Sequence, residues 1–227
     1  MAHSADPARL PRSSSCMGHP LTRVAVICAI MAMAYFPWLP FPWRMPVVGI
    51  VGLLVVWLET RDRTACGLAW HRLAPTLGWA MVLLLVVTAI VTPVFQSLID
   101  YLTSSKSDYA AYGALRSNAS AAMQLIGFAW ISAAIGEELV FRGFLMHQLQ
   151  ALFARVGLGR VSAAIAGGVL FGAMHANQGA SGILLTGLVG AIFGYAYLRS
   201  GRNLWALILA HGLVDTWGVI TLYLGWN

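Results

Sequence analysis

Seven apolar runs, separated by short polar connections, occupy most of this chain of 227 residues. Their approximate bounds are 23–41, 46–60, 76–99, 119–146, 159–178, 181–199 and 203–223. A membrane-spanning helix needs about 20 apolar residues, so most of the runs have the length of a span and only the second is short. With 10% charged residues, the chain lacks the roughly 25% that cover an ordinary soluble domain. The sequence therefore predicts an all-α, polytopic membrane helix bundle of about seven transmembrane helices, with six to eight compatible with the lengths.

The runs fall into two groups with a polar segment at each end of the chain. Residues 1–22 are irregular and contain several Pro and Ser residues, so we expect a flexible cytoplasmic tail. Residues 23–118 contain the first three runs and their loops, and residues 119–223 contain the last four. Residues 224–227 form a short C-terminal tail, and this length leaves no room for a separate soluble domain.

The three cysteines, Cys16, Cys28 and Cys66, are widely separated in the sequence. No CxxC pair and no disulfide framework is present. We therefore predict three unpaired thiols.

The net charge of +6 comes almost entirely from arginines that lie between the apolar runs. Nucleic-acid binding requires a clustered basic face, so we do not expect a nucleic acid as partner. If the N-terminus is cytoplasmic, the cytoplasmic connections carry ten cations, namely Arg9, Arg12, Arg23, Arg61, Arg63, Arg72, Arg155, Arg160, Arg199 and Arg202. The other connections carry three, namely Arg44, Lys106 and Arg116.

This asymmetry predicts an N-terminus in the cytoplasm, because cytoplasmic loops of membrane proteins are enriched in Lys and Arg. The preference for Arg over Lys is typical of GC-rich bacteria. We therefore expect an integral protein of the bacterial inner membrane, in contact with the lipid bilayer.

Several ionisable residues lie inside the runs, where a membrane disfavours them. They are Glu137, Glu138 and Arg142 in the fourth run, His175 in the fifth, and His211 and Asp215 in the seventh. A charge near the bilayer centre costs roughly 2.5–3.5 kcal/mol even on the lenient insertion scale. We therefore expect these groups to face one another or a wet cavity and to form a functional site.

The spacing of these residues suggests how they are used. Glu138 and Arg142 are four residues apart, so they can pair on one helix face. Glu137 is turned by about 100° from Glu138, lacks that partner and is available as a general base. His211 and Asp215 are also four apart, so the carboxyl group can hold the imidazole. A lone buried histidine or an isolated Glu–Arg pair is usually structural, but the full set on three helices exceeds what structure alone requires.

Two pairs of glycines mark close contacts between helices. Gly168 and Gly172 are four residues apart in the fifth run, as are Gly190 and Gly194 in the sixth. Small residues at this spacing allow helix backbones to approach in lipid. We interpret them as packing residues.

Three motifs in the last four runs carry a family resemblance. Residues 136–143 read GEELVFRG and contain EExxxR, residues 171–175 read FGAMH and match FxxxH, and residues 211–215 read HGLVD and match HxxxD/N. In this order they resemble the CPBP (CAAX protease and bacteriocin-processing, or ABI) family of intramembrane proteases, also called type II CAAX prenyl endopeptidase-like. The motifs cover about 130–216, so 119–223 is predicted to be the catalytic core.

The resemblance implies an endopeptidase that hydrolyses a peptide bond of a peptide or protein substrate in or near the membrane. It assigns Glu137 and His175 to the activation of water, and His211 and Asp215 to stabilisation of the oxyanion. Glu138 and Arg142 have supporting roles. Asp215 can donate a hydrogen bond only when it is protonated; otherwise it orients His211.

The resemblance leaves a metal ion open, because the family is often labelled as metalloproteases. Glu137, His175, His211 and Asp215 are candidate ligands for zinc with one open position. No HExxH sequence is present. We expect metal-free catalysis with Glu137 as the base and keep zinc as the alternative.

Two other functions are compatible with parts of the sequence. Residues 179–182 read GASG, which is the GxSG string of rhomboid serine proteases, so Ser181 and His211 are a possible dyad. Buried Glu, His and Asp residues also relay protons or bind ions in transporters, although no internal repeat is visible. Neither alternative accounts for all three motifs.

Overall fold

The computed structural model describes residues 18–226, and these residues form seven helices and no strand. The helices are α1 (Pro20–Tyr35), α2 (Arg44–Thr60), α3 (Leu73–Thr103), α4 (Ala119–Arg155), α5 (Arg160–Met174), α6 (Gly179–Arg199) and α7 (Leu204–Leu224). Short 3-10 turns lie in the connections at Arg63–Cys66, Ala110–Leu115 and Ala176–Gln178. The predicted all-α class is confirmed, while most of the predicted N-terminal tail, including Cys16, lies outside the described residues.

Four of the helices are long and apolar enough to cross a membrane, namely α3, α4, α6 and α7. Helices α1, α2 and α5 have 16, 17 and 15 residues. At 1.5 Å per residue they are about 22–26 Å long, which is less than the roughly 30 Å hydrocarbon core. Each predicted run therefore contains a helix, and the protein is an integral membrane protein with four helices of full spanning length.

Two boundaries differ from the sequence prediction. The first run was expected to continue to residue 41, but α1 ends at Tyr35 because Pro37, Pro40 and Pro42 prevent regular helical hydrogen bonding. The fourth run was expected to end at residue 146. Instead α4 continues to Arg155 and ends before Gly157, whose φ is 72°.

The chain reverses direction at each connection, so successive connections lie at alternate ends of the bundle. At one end, Asn203 Nδ2 donates to Thr76 Oγ1 at 2.8 Å, and Arg202 Nη2 donates to Gln150 Oε1 at 3.3 Å. We call this the arginine-rich end, and its connections carry Arg61, Arg63, Arg72, Arg155, Arg160, Arg199 and Arg202. The opposite end contains the first residues of α2, α4 and α6 and the last residues of α1, α3, α5 and α7.

A buried polar cluster joins α1, α2 and α4 near the arginine-rich end. Arg23 donates to Glu59 and, at 2.5 Å, to Gln148 Oε1. Gln148 Nε2 donates to Glu59 Oε2 at 3.1 Å, and His147 Nε2 lies 3.3 Å from the same oxygen. We call these four residues the anchor network. Arg23 was counted from sequence as a charge of a connection, but it is buried and paired with Glu59.

The two halves of α4 differ in their surroundings. Residues 138–146 are all buried, whereas Ala122 is the only buried residue of 119–129. Apart from the paired Glu138 and Arg142, residues 138–146 are apolar on all sides, as expected of a helix in a core. The second half of α4 accordingly packs within the main core, whose largest fully buried apolar side chains include Phe144, Leu145, Met146, Phe193, Tyr197, Leu204 and Leu207.

Helix α2 runs parallel to the second half of α4 and packs closely against it. A Cβ atom on Gly136 would lie 2.6 Å from Met45 Cβ and from Pro46 N, and one on Gly52 would lie 2.9 Å from Phe144 Cβ. Such distances are far inside van der Waals contact. The start of α2 is therefore level with Gly136, in the middle of α4.

The predicted glycine contacts are confirmed between α5 and α6. A Cβ on Gly168 would lie 2.6 Å from Gly187 O, and one on Gly194 would lie 3.2 Å from Ala164 Cβ. A Cβ on Gly190 would lie 2.9 Å from Phe171 Cβ, so this glycine packs directly against Phe171. These small residues bring the two helices together next to the motif residues.

Three segments of the helices have π-helical hydrogen bonding. In α3, Val86–Phe95 surrounds Pro93, and the wider turn accommodates a residue that has no N–H to donate. In α4, Trp130–Glu137 and Leu139–Leu145 lie on either side of Glu138. Single-turn π-helices are frequent at functional sites, and here they frame the EExxxR motif.

Candidate active site

The predicted pairing of Glu138 with Arg142 is present in the structure. Arg142 Nη1 donates to Glu138 Oε1 at 2.7 Å, and the two residues are 2% and 0% exposed. Charge-assisted hydrogen bonds of this kind are the strong ones in proteins. An unpaired charge at this depth would strongly destabilise the fold, so each residue depends on the other.

Arg142 also connects α4 to α5 and α6. Its Nη2 donates to the carbonyl of Gly190 at 3.1 Å. The guanidinium carbon lies 5.1 Å from the ring centroid of Phe171 and 5.3 Å from that of Phe193. Both distances are within the range of a cation–π interaction, so Arg142 fixes the relative positions of three helices.

His211 is oriented by Glu138 rather than by Asp215. Its Nδ1 lies 2.8 Å from Glu138 Oε1, while its Nε2 lies 3.7 Å from Asp215 Oδ1. The second distance is too long for a hydrogen bond. Because an ionised carboxylate only accepts hydrogen bonds, Nδ1 carries a proton and Nε2 is the nitrogen that remains for chemistry.

His175 directly follows the last residue of α5 and precedes the Ala176–Gln178 turn. Its Nδ1 lies 2.9 Å from the carbonyl oxygen of Phe171. A carbonyl accepts hydrogen bonds, so Nδ1 is the donor, and in the neutral ring Nε2 is an acceptor. His175 is close enough to Asp215 to interact with it electrostatically.

Glu137 has a carboxylate oxygen that no protein group satisfies. Its Oε2 is buried without a hydrogen-bond partner, and the same is true of Glu138 Oε2. Glu137 interacts electrostatically with His211, Asp215 and Arg142. Buried polar atoms in proteins nearly always have a partner, so these oxygens mark a place where water or a substrate group binds.

The sequence did not indicate the contact that holds α7 against α4. Trp130 Nε1 donates to Thr216 Oγ1 at 3.1 Å. A Cβ on Gly212 would lie 2.6 Å from the Trp130 ring. Gly212 and Thr216 directly follow His211 and Asp215, so this contact sets the position of both motif residues.

Tyr112, in the connection between α3 and α4, is a further residue that no motif identified. It packs among Leu115, Ala122 and Val219. Burial, together with the negative charges of Asp215 and Glu137, raises the pKa of the Tyr112 phenol. The hydroxyl therefore stays protonated and available as a hydrogen-bond donor near these two carboxylates.

The proposed ligands do not form a metal site as they are placed. Within residues 18–226, no group of three or more His, Cys, Asp and Glu side chains is arranged to hold a metal ion. The Nδ1 atoms of His175 and His211 are engaged by Phe171 and Glu138, which leaves the Nε2 atom of each ring.

Ser181 belongs to a different cluster. It is fully buried, and its hydroxyl donates to Asp100. Gln96 Nε2 lies 3.2 Å and Ser107 Oγ 3.3 Å from the same hydroxyl. These hydrogen bonds join Ser181 to Asp100, Gln96 and Ser107 rather than to His211, so the Ser181–His211 dyad is not assembled in this structure.

Comparison with known families agrees with the arrangement of these side chains. Residues 119–217 match the model of a family described as Type II CAAX prenyl endopeptidase Rce1-like. This segment is Rce1-like. The matched segment begins with α4, ends just after Thr216, and contains all three motifs, so the resemblance predicted from them is confirmed. No curated protein and no solved structure gave a match to the chain.

The two free cysteines among the described residues, Cys28 and Cys66, lie outside the Rce1-like segment. Both thiols are free. The family match supports a CAAX-type intramembrane endopeptidase in general, and the catalytic role of each residue is a separate question.

Proposed function

We propose that this protein is an intramembrane endopeptidase in which Glu137 is the general base. Glu137 takes a proton from a bound water, and the resulting hydroxide attacks the carbonyl carbon of the scissile peptide bond. When the C–N bond breaks, the same proton passes to the leaving amine. The buried, unpartnered Oε2 of Glu137 is the observation that carries the proposal.

His175 is proposed to position the water. Because Nδ1–H donates to the Phe171 carbonyl, Nε2 accepts a hydrogen bond from the water and directs a water lone pair towards the substrate. His175 lies next to the α5–α6 turn and close enough to Asp215 to interact with it electrostatically, which supports this role.

His211 is proposed to stabilise the oxyanion. In its protonated form the ring donates through Nε2, since Nδ1 is held by Glu138. Oxyanion donors act well when they are fixed before the reaction, and His211 is fixed by Glu138 and by the packing of α7 on Trp130. Asp215 Oδ1 lies 3.7 Å from Nε2, beyond hydrogen-bond distance, so Nε2 stays free to donate to the oxyanion.

The decisive experiment compares membrane proteomes of cells that produce the wild type or Glu137→Gln. Loss of the general base should reduce cleavage by about 10²–10⁴-fold, so peptide boundaries present with the wild type should disappear. Glu59→Gln is the matched control, because Glu59 is also a partly buried glutamate but lies in the anchor network. Boundaries that are identical in wild type and Glu137→Gln under every growth condition would contradict the proposal.

The same variants decide between a protease and a proton- or ion-coupled transporter. Reconstituted wild type is expected to show no proton flux that depends on Glu137. A flux that Glu137→Gln abolishes, with unchanged peptide boundaries, would replace the protease by a transporter.

Catalysis without a metal is part of the proposal and has its own test. Purified protein should retain cleavage of an identified substrate peptide after treatment with a chelator. Loss of cleavage that zinc restores would overturn this part of the proposal and leave the protease assignment standing.

We also propose that the protein lies in the bacterial inner membrane with its N-terminus in the cytoplasm. The excess of arginine at one end of the bundle supports this orientation. Fusions of a reporter to the N-terminus and to the connection between α3 and α4 should report opposite sides of the membrane.

A further inference from the structure

We propose that a cavity between the α1–α2 connection and α4 binds the phosphate group of a membrane phospholipid, with Arg44 as the cation that holds it. None of the residues that line this cavity belongs to the three motifs, and the inference does not depend on the proposed protease function. It gives a binding role to a part of the chain that lies mostly outside the Rce1-like segment.

The cavity has a volume of about 250 Å³, and we call it the Arg44 cavity. Ser132 of α4, which is 7% exposed, and Arg44 provide its polar side chains. A hydroxyl and a guanidinium group both donate hydrogen bonds, so these two side chains suit a single anionic group. The remaining lining is apolar and consists of Pro37, Leu39, Pro40, Phe41 and Pro42.

Arg44 is a cation that no protein group neutralises. Its Nε is buried without a hydrogen-bond partner, and no carboxylate of residues 18–226 forms an ion pair with it. The other two arginines of the helix interior, Arg23 and Arg142, are each paired with a glutamate. Because buried polar atoms nearly always have a partner, we expect Arg44 to bind an anion from outside the chain. A guanidinium group matches phosphate through two parallel hydrogen bonds.

The position of Arg44 along the bundle indicates a lipid as the source of the phosphate. Arg44 begins α2, and Arg61 directly follows its last residue, so the helix separates them by about 26 Å. Along α4, Gly136, which packs against the first turn of α2, is about 28 Å from Arg155. Both lengths are close to the roughly 30 Å hydrocarbon core of a bilayer. With the arginine-rich end at one membrane surface, Arg44 lies near the opposite surface, where the lipid phosphates are.

The residues around Arg44 favour the same source. Phe36, Trp38, Phe41 and Trp43 are exposed in the α1–α2 connection, and aromatic side chains are typical of the membrane–water interface. Phe41 also lines the Arg44 cavity. A phospholipid offers a phosphate to Arg44 and acyl chains to these aromatic side chains, whereas free phosphate offers only the first.

A phosphate in the Arg44 cavity would join two elements of the bundle. Arg44 belongs to α2 and Ser132 to α4, so an anion that accepts hydrogen bonds from both holds the start of α2 against α4. A ligand that binds the folded state stabilises it. We therefore expect a bound phospholipid to raise the temperature of thermal unfolding.

The experiment uses the full chain, purified in a neutral detergent, stripped of lipid and titrated with phosphatidylglycerol. Native mass spectrometry counts the bound lipids, and thermal unfolding measures the stabilisation. The wild type should retain one tightly bound lipid and unfold at a higher temperature. Arg44→Gln should bind it about 10-fold more weakly or worse, because a hydrogen bond to a charged group is lost. Arg116→Gln is the matched control, since Arg116 is an exposed cation of the same end that does not line the cavity.

Two further variants keep the test decisive if Arg44→Gln does not fold. Arg44→Lys keeps the charge but loses the paired hydrogen bonds, and Ser132→Ala removes the hydroxyl donor. Each should bind phosphatidylglycerol several-fold more weakly than the wild type. Wild-type affinity in both variants, or equal weakening in Arg44→Gln and Arg116→Gln, would overturn the proposal.

Three other ligands test the chemistry and its source. Diacylglycerol, which lacks the phosphate, and inorganic phosphate, which lacks the acyl chains, should each give little stabilisation. Diacylglycerol that stabilises as well as phosphatidylglycerol would overturn the role of Arg44, and inorganic phosphate that does so would overturn the assignment to a lipid. Displacement of the lipid by a short apolar peptide with a free C-terminal carboxylate, and not by its amide, would assign the cavity to a peptide and also overturn the proposal.

Discussion

Two clusters of buried charge join helices in this bundle, and they differ in how completely their carboxylates are satisfied. In the anchor network, Glu59 uses both oxygens: Oε1 accepts from Arg23, and Oε2 accepts from Gln148 and lies near His147. In the motif cluster, Oε1 of Glu138 faces both Arg142 and His211, while Oε2 of Glu138 and of Glu137 has no partner. A carboxylate whose two oxygens both have partners holds helices together. A carboxylate with one oxygen left without a partner is available for chemistry.

This difference matters because both clusters carry the cost of burying charge. Breaking a buried ion pair usually destabilises a protein more than the intact pair stabilises it. Stability alone would therefore favour a fully satisfied carboxylate at both places. The unsatisfied oxygens of the motif cluster are compatible with the proposed activation of water by Glu137.

The largest effect is expected from Arg142→Met. The substitution leaves Glu138 buried without its cation, so the free energy of unfolding should fall by about 3–5 kcal/mol. Cleavage should be lost because Glu138, which orients His211, is no longer fixed by Arg142. Thermal unfolding in detergent and the loss of substrate peptide boundaries measure the two effects. The double variant Glu138→Gln with Arg142→Met should regain part of the stability and none of the activity; recovered activity would show that the pair is purely structural.

A smaller effect is expected from Gly212→Ala. The added Cβ would lie 2.6 Å from the Trp130 ring, and overpacking of this kind costs about 1–3 kcal/mol. Because α7 must shift, His211 and Asp215 move and cleavage should be slower. Gly218→Ala is the control on the same helix, since a Cβ there meets nothing within 4 Å. Equal activity of the two variants would contradict the role given to the Trp130 contact.

The anchor network should respond differently to the removal of a charge. Glu59→Gln replaces a carboxylate that accepts from Arg23 and Gln148, so a loss of about 1–3 kcal/mol of stability is expected. Cleavage per folded molecule should be unchanged, because no motif residue contacts this network. Unfolding curves and peptide boundaries, both normalised to folded protein, test this; an inactive but folded Glu59→Gln would remove the distinction between the two clusters.

The smallest effect is expected from Ser181→Ala. Asp100 keeps its hydrogen bond from Gln96 at 2.8 Å, so the lost hydroxyl should reduce stability by about 1 kcal/mol, and cleavage should be unchanged. Cleavage that is lost in Ser181→Ala and retained in Glu137→Gln would instead support a serine protease.

Much of the fold was predictable because an apolar run inside a membrane must satisfy its backbone hydrogen bonds internally and therefore forms a helix. Each of the seven runs contains a helix, and the four-residue spacing of Glu138 and Arg142 predicted a contact that the structure shows at 2.7 Å. The same spacing rule was less informative for His211 and Asp215, which are 3.7 Å apart. In that case a carboxylate from another helix competes for the ring.

Contacts between helices were the part that sequence reasoning missed. The Glu138–His211 and Arg23–Glu59 contacts join residues 73 and 36 positions apart. Such contacts depend on which helices are neighbours and on their register, and neither is encoded in the spacing within one run. Arg23 was therefore interpreted as a charge in a connection, and the role of Trp130 was not anticipated.

The π-helical segments of α4 also affect how its sequence can be compared with others. A helical wheel drawn at 100° per residue assigns wrong faces to residues upstream of Trp130 relative to those downstream of Leu145, because each wider turn delays the rotation. An alignment of α4 with an ordinary α-helix therefore needs a gap near Glu138 to keep both halves in phase. For the same reason, deleting a single alanine from 133–134 should return this segment to ordinary α-helix with both halves in phase, so that Trp130 keeps its side facing Thr216.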